Sequence, residues 1–227
     1  MRPASAGRGV LSTSAGMHIP ILHQDTRFAV LNKPAGLPVH PGPRGGPSVE
    51  DCFPHLSRRR DGPWLAHRLD ADTAGCLVVA LRRAALHEAQ AEFAAGHAEK
   101  TYWAIVTGAP QGMSGTIDAP LLKQTGRTGW RMLIAPTGQR AVTDWVLCGQ
   151  SDGLSWLELR PRTGRTHQIR VHCAALGCPL LGDAIYGAGG APLHLLARAI
   201  TLRLNPLLSA TAPVPAHMAK AMAACGG

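Results

Sequence analysis

Short apolar or alternating stretches, interrupted by turns and only a few helices, constrain the fold of this chain most strongly. Residues 76–81, CLVVAL, are typical of a central strand, and residues 82–95 have the helical spacing of a segment that stops at Gly96. The same two patterns predict strands at 27–31, 100–107, 140–148, 154–160 and 194–203, and helices at 166–176 and 215–224. Because strands and helices do not alternate regularly, we predict a single α+β domain with a mixed sheet.

The length of 227 residues is sufficient for one full-sized domain. Residues 1–16 are rich in Arg, Ser, Ala and Gly and lack acidic residues, so we predict a disordered arm there and a folded domain at 17–227. An organelle transit peptide or translation from Met17 also fits this composition. No apolar run approaches the roughly 18 residues that a membrane-spanning helix needs, which excludes a transmembrane protein.

A basic excess is the first indication of a partner. The chain carries 23 Lys and Arg against 14 Asp and Glu, a net charge of +9. Such an excess favours nucleic acid or an anionic membrane surface, although it also serves solubility alone. Residues 121–170 hold eight of the basic and three of the acidic side chains. With only five Trp, two Tyr and three Phe, a cleft that grips phosphates is favoured over a platform that stacks bases.

The six cysteines include no CxxC pair. Cys173 and Cys178 are five residues apart, which fits no common zinc spacing, so we predict reduced thiols and no metal. A metal-dependent hydrolase that uses His167, His172 and Cys173 fails on the same spacing rule. A histidine and two thiols on an amphipathic helix explain His172, Cys173 and Cys178 better.

Residues 67–75, HRLDADTAG, lie between an apolar entry and the apolar strand 76–81. An aspartate at such a junction of loop and strand is held rigidly and faces outward, which suits a catalytic carboxylate at Asp70. The alternative is that Asp70 only caps a turn. Asp72 is interpreted as a turn residue.

Residues 160–172, RPRTGRTHQIRVH, combine a turn with the start of a helix. If Thr163 caps that helix, its free backbone N–H groups and Arg165 form an anion site. The alternative is an ordinary charged helix face.

Together these segments resemble the RluA-type RNA pseudouridine synthases. The pattern HRLDxxT-G is followed by KxY in a strand and by PxTGRTHQIRVH…LGxPLLGDxxYG, and VLNKPAGLPVHPG at 30–42 is similar to the first motif of that family. The similarity extends from about residue 19 to about residue 206, in the family's order and spacing.

The resemblance implies that the chain isomerises uridine in RNA, by detaching uracil from ribose, rotating it and rejoining it through carbon 5. It implies a mixed, mostly antiparallel sheet with flanking helices around a cleft. The catalytic aspartate falls on Asp70, the tyrosine that packs on the base on Tyr102, and the arginine that pairs with the carboxylate on Arg165. Arg68 is expected to take the place of the flipped nucleotide in the helical stack.

Further residues of these motifs and of the basic region are expected to bind RNA: Lys33, His67, Lys100, Arg127, Arg131, Arg162, His167, Gln168 and Arg170. The sequence departs from the family at Ala74, where Ser is usual, and at Leu196, where His is common and His194 lies two residues earlier. Both changes affect pocket detail, and neither removes a catalytic residue.

No cofactor is expected, because the isomerisation has no redox change and the chain lacks a Rossmann or P-loop fingerprint. The start of the pattern near residue 19 predicts the short subgroup without an N-terminal RNA-binding domain, whose substrates are ribosomal and transfer RNA. We further predict a cytoplasmic monomer. The alternative function is a catalytically idle RNA-binding or RNA-chaperone protein with the same fold, although Asp70, Tyr102 and Arg165 are all retained.

Overall fold

The computed structural model describes residues 9–12, 16, 18–42, 45–59, 61–127 and 129–227. The strands are β1 (Val10–Ser12), β2 (His18–Gln24), β3 (Phe28–Lys33), β4 (Trp64–Leu65), β5 (Ala74–Ala80), β6 (Glu99–Thr107), β7 (Ser114–Asp118), β8 (Leu121–Gly126), β9 (Gly129–Ile134), β10 (Val142–Ser151), β11 (Leu154–Pro161), β12 (Leu195–Leu202) and β13 (Leu208–Thr211). The helices are α1 (Phe53–Leu56), α2 (Arg83–Ala94), α3 (Gln168–Ala175) and α4 (Ala216–Ala224), and a 3-10 turn covers Val49–Cys52.

The chain divides into two compact units that each consist of two stretches of sequence. The first unit contains residues 1–100 and 197–213, and the second contains residues 101–196 and 214–227. In the first unit the strands are ordered β1-β2-β3-β5-β12, with β4 also on β5 and β13 also on β12. The pairs β1–β2, β2–β3, β3–β5, β4–β5 and β12–β13 are antiparallel.

Strands β3 and β5 form the centre of the first unit. All seven residues of β5 are buried, which explains why its sequence is a continuous apolar run rather than an alternation. The pairing of Phe28 with Ala80 and of Lys33 with Gly75 sets the register. Gly75 has a φ of 111°, and a Cβ there would collide with the backbone of Ala197. Only glycine therefore allows β5 to begin directly after the Asp70 segment.

The second unit contains the strand order β6-β11-β10-β7, again with antiparallel pairs. Strand β11 alternates between buried and less buried residues, because one of its faces packs on a core. That core includes Leu157 and Leu159 from β11 and Ile169 and Cys173 from α3.

A separate hairpin of β8 and β9 belongs to the second unit. Leu121 and Met132 from the hairpin are buried in a small cluster with Ala141 and with Val171 of α3. This cluster fixes one end of the hairpin on helix α3.

The predicted α+β class and the mostly antiparallel sheet are confirmed, as are strands and helices near most of the predicted positions. The disordered arm predicted at 1–16 is wrong for residues 10–12, because Val10–Ser12 pairs with His18–Pro20; residues 1–8 and 13–15 lie outside the described residues. The prediction also missed the strands β2, β4, β7 and β13, the short helix α1 and the β8–β9 hairpin. Within the described part of the chain, no helix is long and apolar enough to cross a membrane.

Candidate active site

Asp70 lies in the loop between β4 and β5 and is partly buried. Its carbonyl oxygen accepts a hydrogen bond from the Thr73 N–H at 3.1 Å, which closes a turn over Asp70–Thr73. Asp72 lies in this turn, as predicted, and its side chain is exposed. Of the two residues before Asp70, Arg68 is exposed to solvent and Leu69 is buried. Asp70 therefore stands at a fixed position between a buried leucine and a tight turn.

The turn is clamped from the segment that follows β3. The carbonyl oxygen of Ala71 accepts hydrogen bonds from the Gly36 N–H at 2.9 Å and from Lys33 Nζ at 2.6 Å. Lys33 is fully buried and also donates to the carbonyl oxygens of Pro34 at 2.8 Å and Leu37 at 2.7 Å. The three ammonium donors are thus all used inside the protein.

This placement corrects the prediction that Lys33 binds RNA, because a buried ammonium with three carbonyl acceptors offers no donor to a phosphate. Burial lowers the pKa of Lys33 to about 7, while the charges of Asp72 and Asp70 act in the opposite direction. Lys33 is therefore electrostatically linked to Asp70 as well as bonded to its turn.

His67 is also a structural residue. Its Nε2 accepts a hydrogen bond from the Val78 N–H at 3.0 Å, and its ring lies 4.9 Å from that of Phe93 on α2. Burial, with the charge of Lys100 adding to it, lowers the pKa of His67 to about 4, so the ring is neutral near pH 7. The prediction that His67 binds RNA is thus corrected to a role in tying the loop to β5. Burial likewise lowers the pKa of Lys100, which lies at the start of β6.

Tyr102 lies in β6, as the KxY pattern predicts, and is partly buried opposite Leu159 of β11. Its ring packs against the core of the second unit. The exposed Arg165 precedes α3 in the same unit, and its Nε donates to the carbonyl oxygen of Arg140 at 3.1 Å. Both residues are thus carried by the second unit, whereas Asp70 is carried by the first.

Gln168, predicted to bind RNA, is instead a buried connector. Its Nε2 donates to the Val142 carbonyl at 3.0 Å and to Thr143 Oγ1 at 2.9 Å. Its Oε1 accepts hydrogen bonds from Thr163 Oγ1 at 2.7 Å and from the Arg165 N–H at 3.0 Å. Thr163 does not cap the helix as predicted, because α3 begins at Gln168 with His167 at the N-cap. Gln168 is what holds the backbone of Arg165.

Arg170, also predicted to bind RNA, is only 4% exposed and forms two hydrogen bonds with Asp183, at 2.8 and 2.7 Å. Asp183 Oδ1 accepts further bonds from the N–H groups of Ile185 and Tyr186. Burial alone would raise the pKa of Asp183, but these hydrogen bonds hold it below the ordinary value. Arg170 therefore neutralises a buried carboxylate rather than a phosphate.

The remaining predicted RNA contacts differ in their surroundings. Arg127 and Arg131 are exposed on the β8–β9 hairpin. Arg162 is exposed and donates two hydrogen bonds to Asp144, at 2.6 and 2.8 Å. His167 is partly buried, with Nδ1 at 2.9 Å from Tyr186 Oη.

Sequence reasoning missed two aromatic residues near His167. The Trp130 ring lies 4.9 Å from the His167 ring, and the Tyr186 ring meets it edge-on at 5.6 Å. A tryptophan between Gly129 and Arg131, in a stretch without acidic residues, is the sequence signal that could have indicated this group.

No group of three or more His, Cys, Asp or Glu residues that could hold a metal ion occurs among the described residues. His172 is fully buried, with Nδ1 at 2.9 Å from Thr143 Oγ1 and Nε2 at 3.1 Å from the Ala119 carbonyl oxygen. Burial lowers its pKa. The surroundings of His172 are those of a core histidine.

The family model described as RNA pseudouridylate synthase matches residues 27–175. A Zymomonas mobilis protein named as an uncharacterized RNA pseudouridine synthase is 42% identical over 172 residues, which cover 74% of this chain and 78% of that protein. The ribosomal large subunit pseudouridine synthase D of the same organism is 35% identical over 201 residues, covering 85% of this chain and 63% of that protein. The structure of human RNA pseudouridylate synthase domain containing 4 matches with a TM-score of 0.76 and 28% identity, over 91% of this chain and 92% of that one.

Proposed function

This chain belongs to the RNA pseudouridylate synthase family, and we propose that Asp70 is the carboxylate with which it starts the isomerisation of uridine to pseudouridine in RNA. The observation that carries the proposal is the clamp on the Asp70 turn, in which Gly36 and the buried Lys33 both bond the Ala71 carbonyl. A catalytic group needs such fixed geometry, because small misplacements cost large factors in rate. The match at residues 27–175 includes this turn.

The reaction needs a trigger for glycosidic cleavage and no external reactant. The bond between uracil N1 and the ribose breaks, the base turns, and a bond from carbon 5 replaces it; carbon 5 loses a proton and N1 gains one. A carboxylate serves as the trigger by attacking the sugar or the base, or by taking a sugar proton. All three routes require Asp70 in its ionised form.

Tyr102 and Arg165 are proposed on the resemblance of their motifs. Tyr102 would pack on the extruded base and assist removal of the carbon 5 proton. Arg165 would supply the guanidinium that favours the ionised form of the catalytic carboxylate. The bonds of the Arg165 backbone to Gln168 support this role, because they fix where the side chain starts.

The target uridine must leave its stack to be reached, which costs a few kcal/mol. Arg68, exposed two residues before Asp70, would occupy the gap left by the base, since its planar cation both stacks and bonds phosphate. The exposed Arg127 and Arg131 would bind the RNA backbone, so affinity is expected to fall steeply with salt.

The substrate is proposed to be a structured ribosomal or transfer RNA, which the net charge of +9 supports. The ribosomal large subunit synthase among the relatives favours ribosomal RNA of these two. The cytoplasmic location, the monomeric state and the lack of a cofactor stay predictions.

Pseudouridine mapping of total RNA tests the function and identifies the substrate together. A deletion strain should lose one or a few pseudouridine sites, and the wild-type gene should restore them. A gene that encodes Asp70→Asn should not restore them at equal protein level. Restoration by that variant, or no site lost on deletion, would contradict the proposal.

A further inference from the structure

Trp130 is held at the exposed end of the β8–β9 hairpin. It is 42% exposed and lies opposite Thr125 across the hairpin. Met132, two residues further and on the same face, is buried in the cluster that contains Val171 of α3. The face that carries Trp130 is therefore anchored at one end and open to solvent at the other.

The Trp130 ring is ordered by its neighbours. The His167 ring lies 4.9 Å away at an interplanar angle of 30°, and Lys123 Nζ lies 4.8 Å from the Trp130 ring centroid. His167 is in turn placed by Tyr186, whose Oη also accepts a hydrogen bond from the Met132 N–H at 2.9 Å. One phenol group thus connects the hairpin to the residue that stacks on its tryptophan.

A buried ion pair between Arg170 and Asp183 holds Tyr186 in place. Asp183 is 1% exposed, bonds Arg170 twice and accepts the Tyr186 N–H at 3.0 Å. The Arg170 guanidinium also lies 5.4 Å from the Tyr186 ring centroid. His167 has a φ of 53°, a left-handed conformation that a non-glycine residue keeps only where its surroundings fix it. The stack of Trp130 on His167 is thus built into the fold.

We propose that Trp130, backed by His167 and flanked by Lys123, is a stacking platform for an unpaired base of the substrate RNA. The inference rests on the proposed action on RNA. It adds a contact that distinguishes single-stranded from double-stranded RNA. An aromatic ring beside a cation suits a nucleotide, because the base stacks on the ring while the ammonium moves onto the phosphate. Residues 121–134 carry Lys123, Arg127 and Arg131 and no acidic residue, which favours RNA over an apolar partner.

The proposed platform differs from the expectation that a cleft that grips phosphates is favoured over a platform that stacks bases. The chain contains few aromatic residues, but the fold gathers Trp130, His167 and Tyr186 from three separate segments into one group. The number of aromatic residues in a sequence does not show whether their rings lie in contact in the folded chain.

Fluorescence anisotropy with two probes tests the platform: a labelled single-stranded 12-nucleotide oligouridylate and a labelled 12-base-pair RNA duplex. Trp130→Ala should weaken binding of the single strand about tenfold and change binding of the duplex less than about twofold. Trp130→Phe, which keeps a stacking ring, should retain most of the affinity. Leu122→Ala is the matched control, since Leu122 is 41% exposed on the other face of the same hairpin and should leave both affinities unchanged.

Unchanged binding of the single strand by Trp130→Ala would overturn the platform, and so would an equal loss for both probes. Pseudouridine formation by the same wild-type preparation separates the two proposals. If the wild type forms no pseudouridine but Trp130→Ala loses single-strand affinity selectively, the platform stands and the proposed activity fails. If the wild type is active and Trp130→Ala binds both probes normally, only the platform fails.

Discussion

Lys33 and Arg170 are both buried cations that hold a loop of their own unit, but their charges are met in different ways. Lys33 donates to the carbonyl oxygens of Pro34, Leu37 and Ala71. Arg170 directs two donors at one carboxylate, that of Asp183. The chemistry of the side chains explains the choice, because an ammonium has three diverging donors and a guanidinium is a planar fork.

The difference has an electrostatic consequence. Backbone carbonyls bond the Lys33 ammonium without cancelling its charge, so it still interacts with the charges of Asp70 and Asp72. The charge of Arg170 is cancelled by Asp183 at contact distance. The first arrangement is suited to a site where a carboxylate must stay ionised, and the second to a rigid support for Tyr186 and His167.

Removing the carboxylate of the second arrangement should have the largest effect on stability. Asp183→Asn leaves the buried Arg170 charge uncompensated, and we expect a loss of about 3–5 kcal/mol in the free energy of unfolding at pH 7. Urea unfolding followed by circular dichroism measures this loss. Asp152→Asn, an exposed aspartate in the same unit, is the matched control.

The pH dependence should follow the low pKa of Asp183. Its ordinary value is 3.8, so the pair stabilises the fold above about pH 4 and is lost as the pH falls further through the lower folded value. Asp183→Asn should therefore match the wild type most closely in strong acid. A change below about 1 kcal/mol at pH 7 would show that Arg170 finds other partners.

The hydrogen bonds of Lys33 to three backbone carbonyl oxygens should contribute less to the free energy of unfolding than the Arg170–Asp183 pair does. Lys33→Met removes three hydrogen bonds but also the cost of burying a charge, so we expect a net loss of about 1–3 kcal/mol in unfolding free energy at pH 6, below the folded pKa of about 7, where Lys33 is protonated. Because Asp70 is carried by the turn that Lys33 clamps, we also expect Lys33→Met to form pseudouridine more slowly than the wild type under conditions where the variant is still folded. A stable Lys33→Met variant with the wild-type rate would show that the hydrogen bonds of Lys33 are not needed to position Asp70.

The two cations also differ in how stability responds to alkali. The pKa of Lys33 is about 7 in the folded chain against an ordinary 10.5, so between these values the unfolded chain binds a proton that the folded chain does not. Folding stability from this residue therefore rises with pH above about 7, and it is lowest below pH 7. The wild type should gain stability relative to Lys33→Met between pH 7 and 9; parallel curves would place the folded pKa near 10.

Removing Arg162 should have the smallest effect on stability, and it tests how much burial matters for such an ion pair. It forms the same two-bond fork on Asp144 as Arg170 forms on Asp183, but on the surface. Water and salt screen an exposed pair, so Arg162→Ala should leave the urea midpoint unchanged within error. A shift comparable to that of Asp183→Asn would mean that fork geometry, rather than burial, determines the contribution.

The sequence predicted what depends on local pattern. The buried strand β5 was read from its apolar run, and helix α2 from its periodicity and Gly96. The turn at Asp70 followed from a polar motif between two apolar segments. The β8–β9 hairpin was missed because strand β8, LLKQTG, is mostly exposed and therefore lacks an apolar pattern.

The roles of the charged side chains were less predictable. Lys33, Gln168 and Arg170 were expected on RNA, and all three are buried. Their partners are carbonyls or side chains from distant parts of the chain, such as Ala71 for Lys33 and Val142 for Gln168, and no local pattern reveals a pairing that forms only on folding.

The most direct test of Asp70 is a single-turnover assay with purified protein in excess over RNA that contains the mapped uridine. Asp70→Asn should bind that RNA like the wild type and reduce the rate of pseudouridine formation at least about a thousandfold. Asp72→Asn, two residues away in the same turn, should keep most of the rate. A rate within about tenfold of the wild type in Asp70→Asn, together with an inactive Asp72→Asn, would contradict the account and assign the chemistry to the other carboxylate.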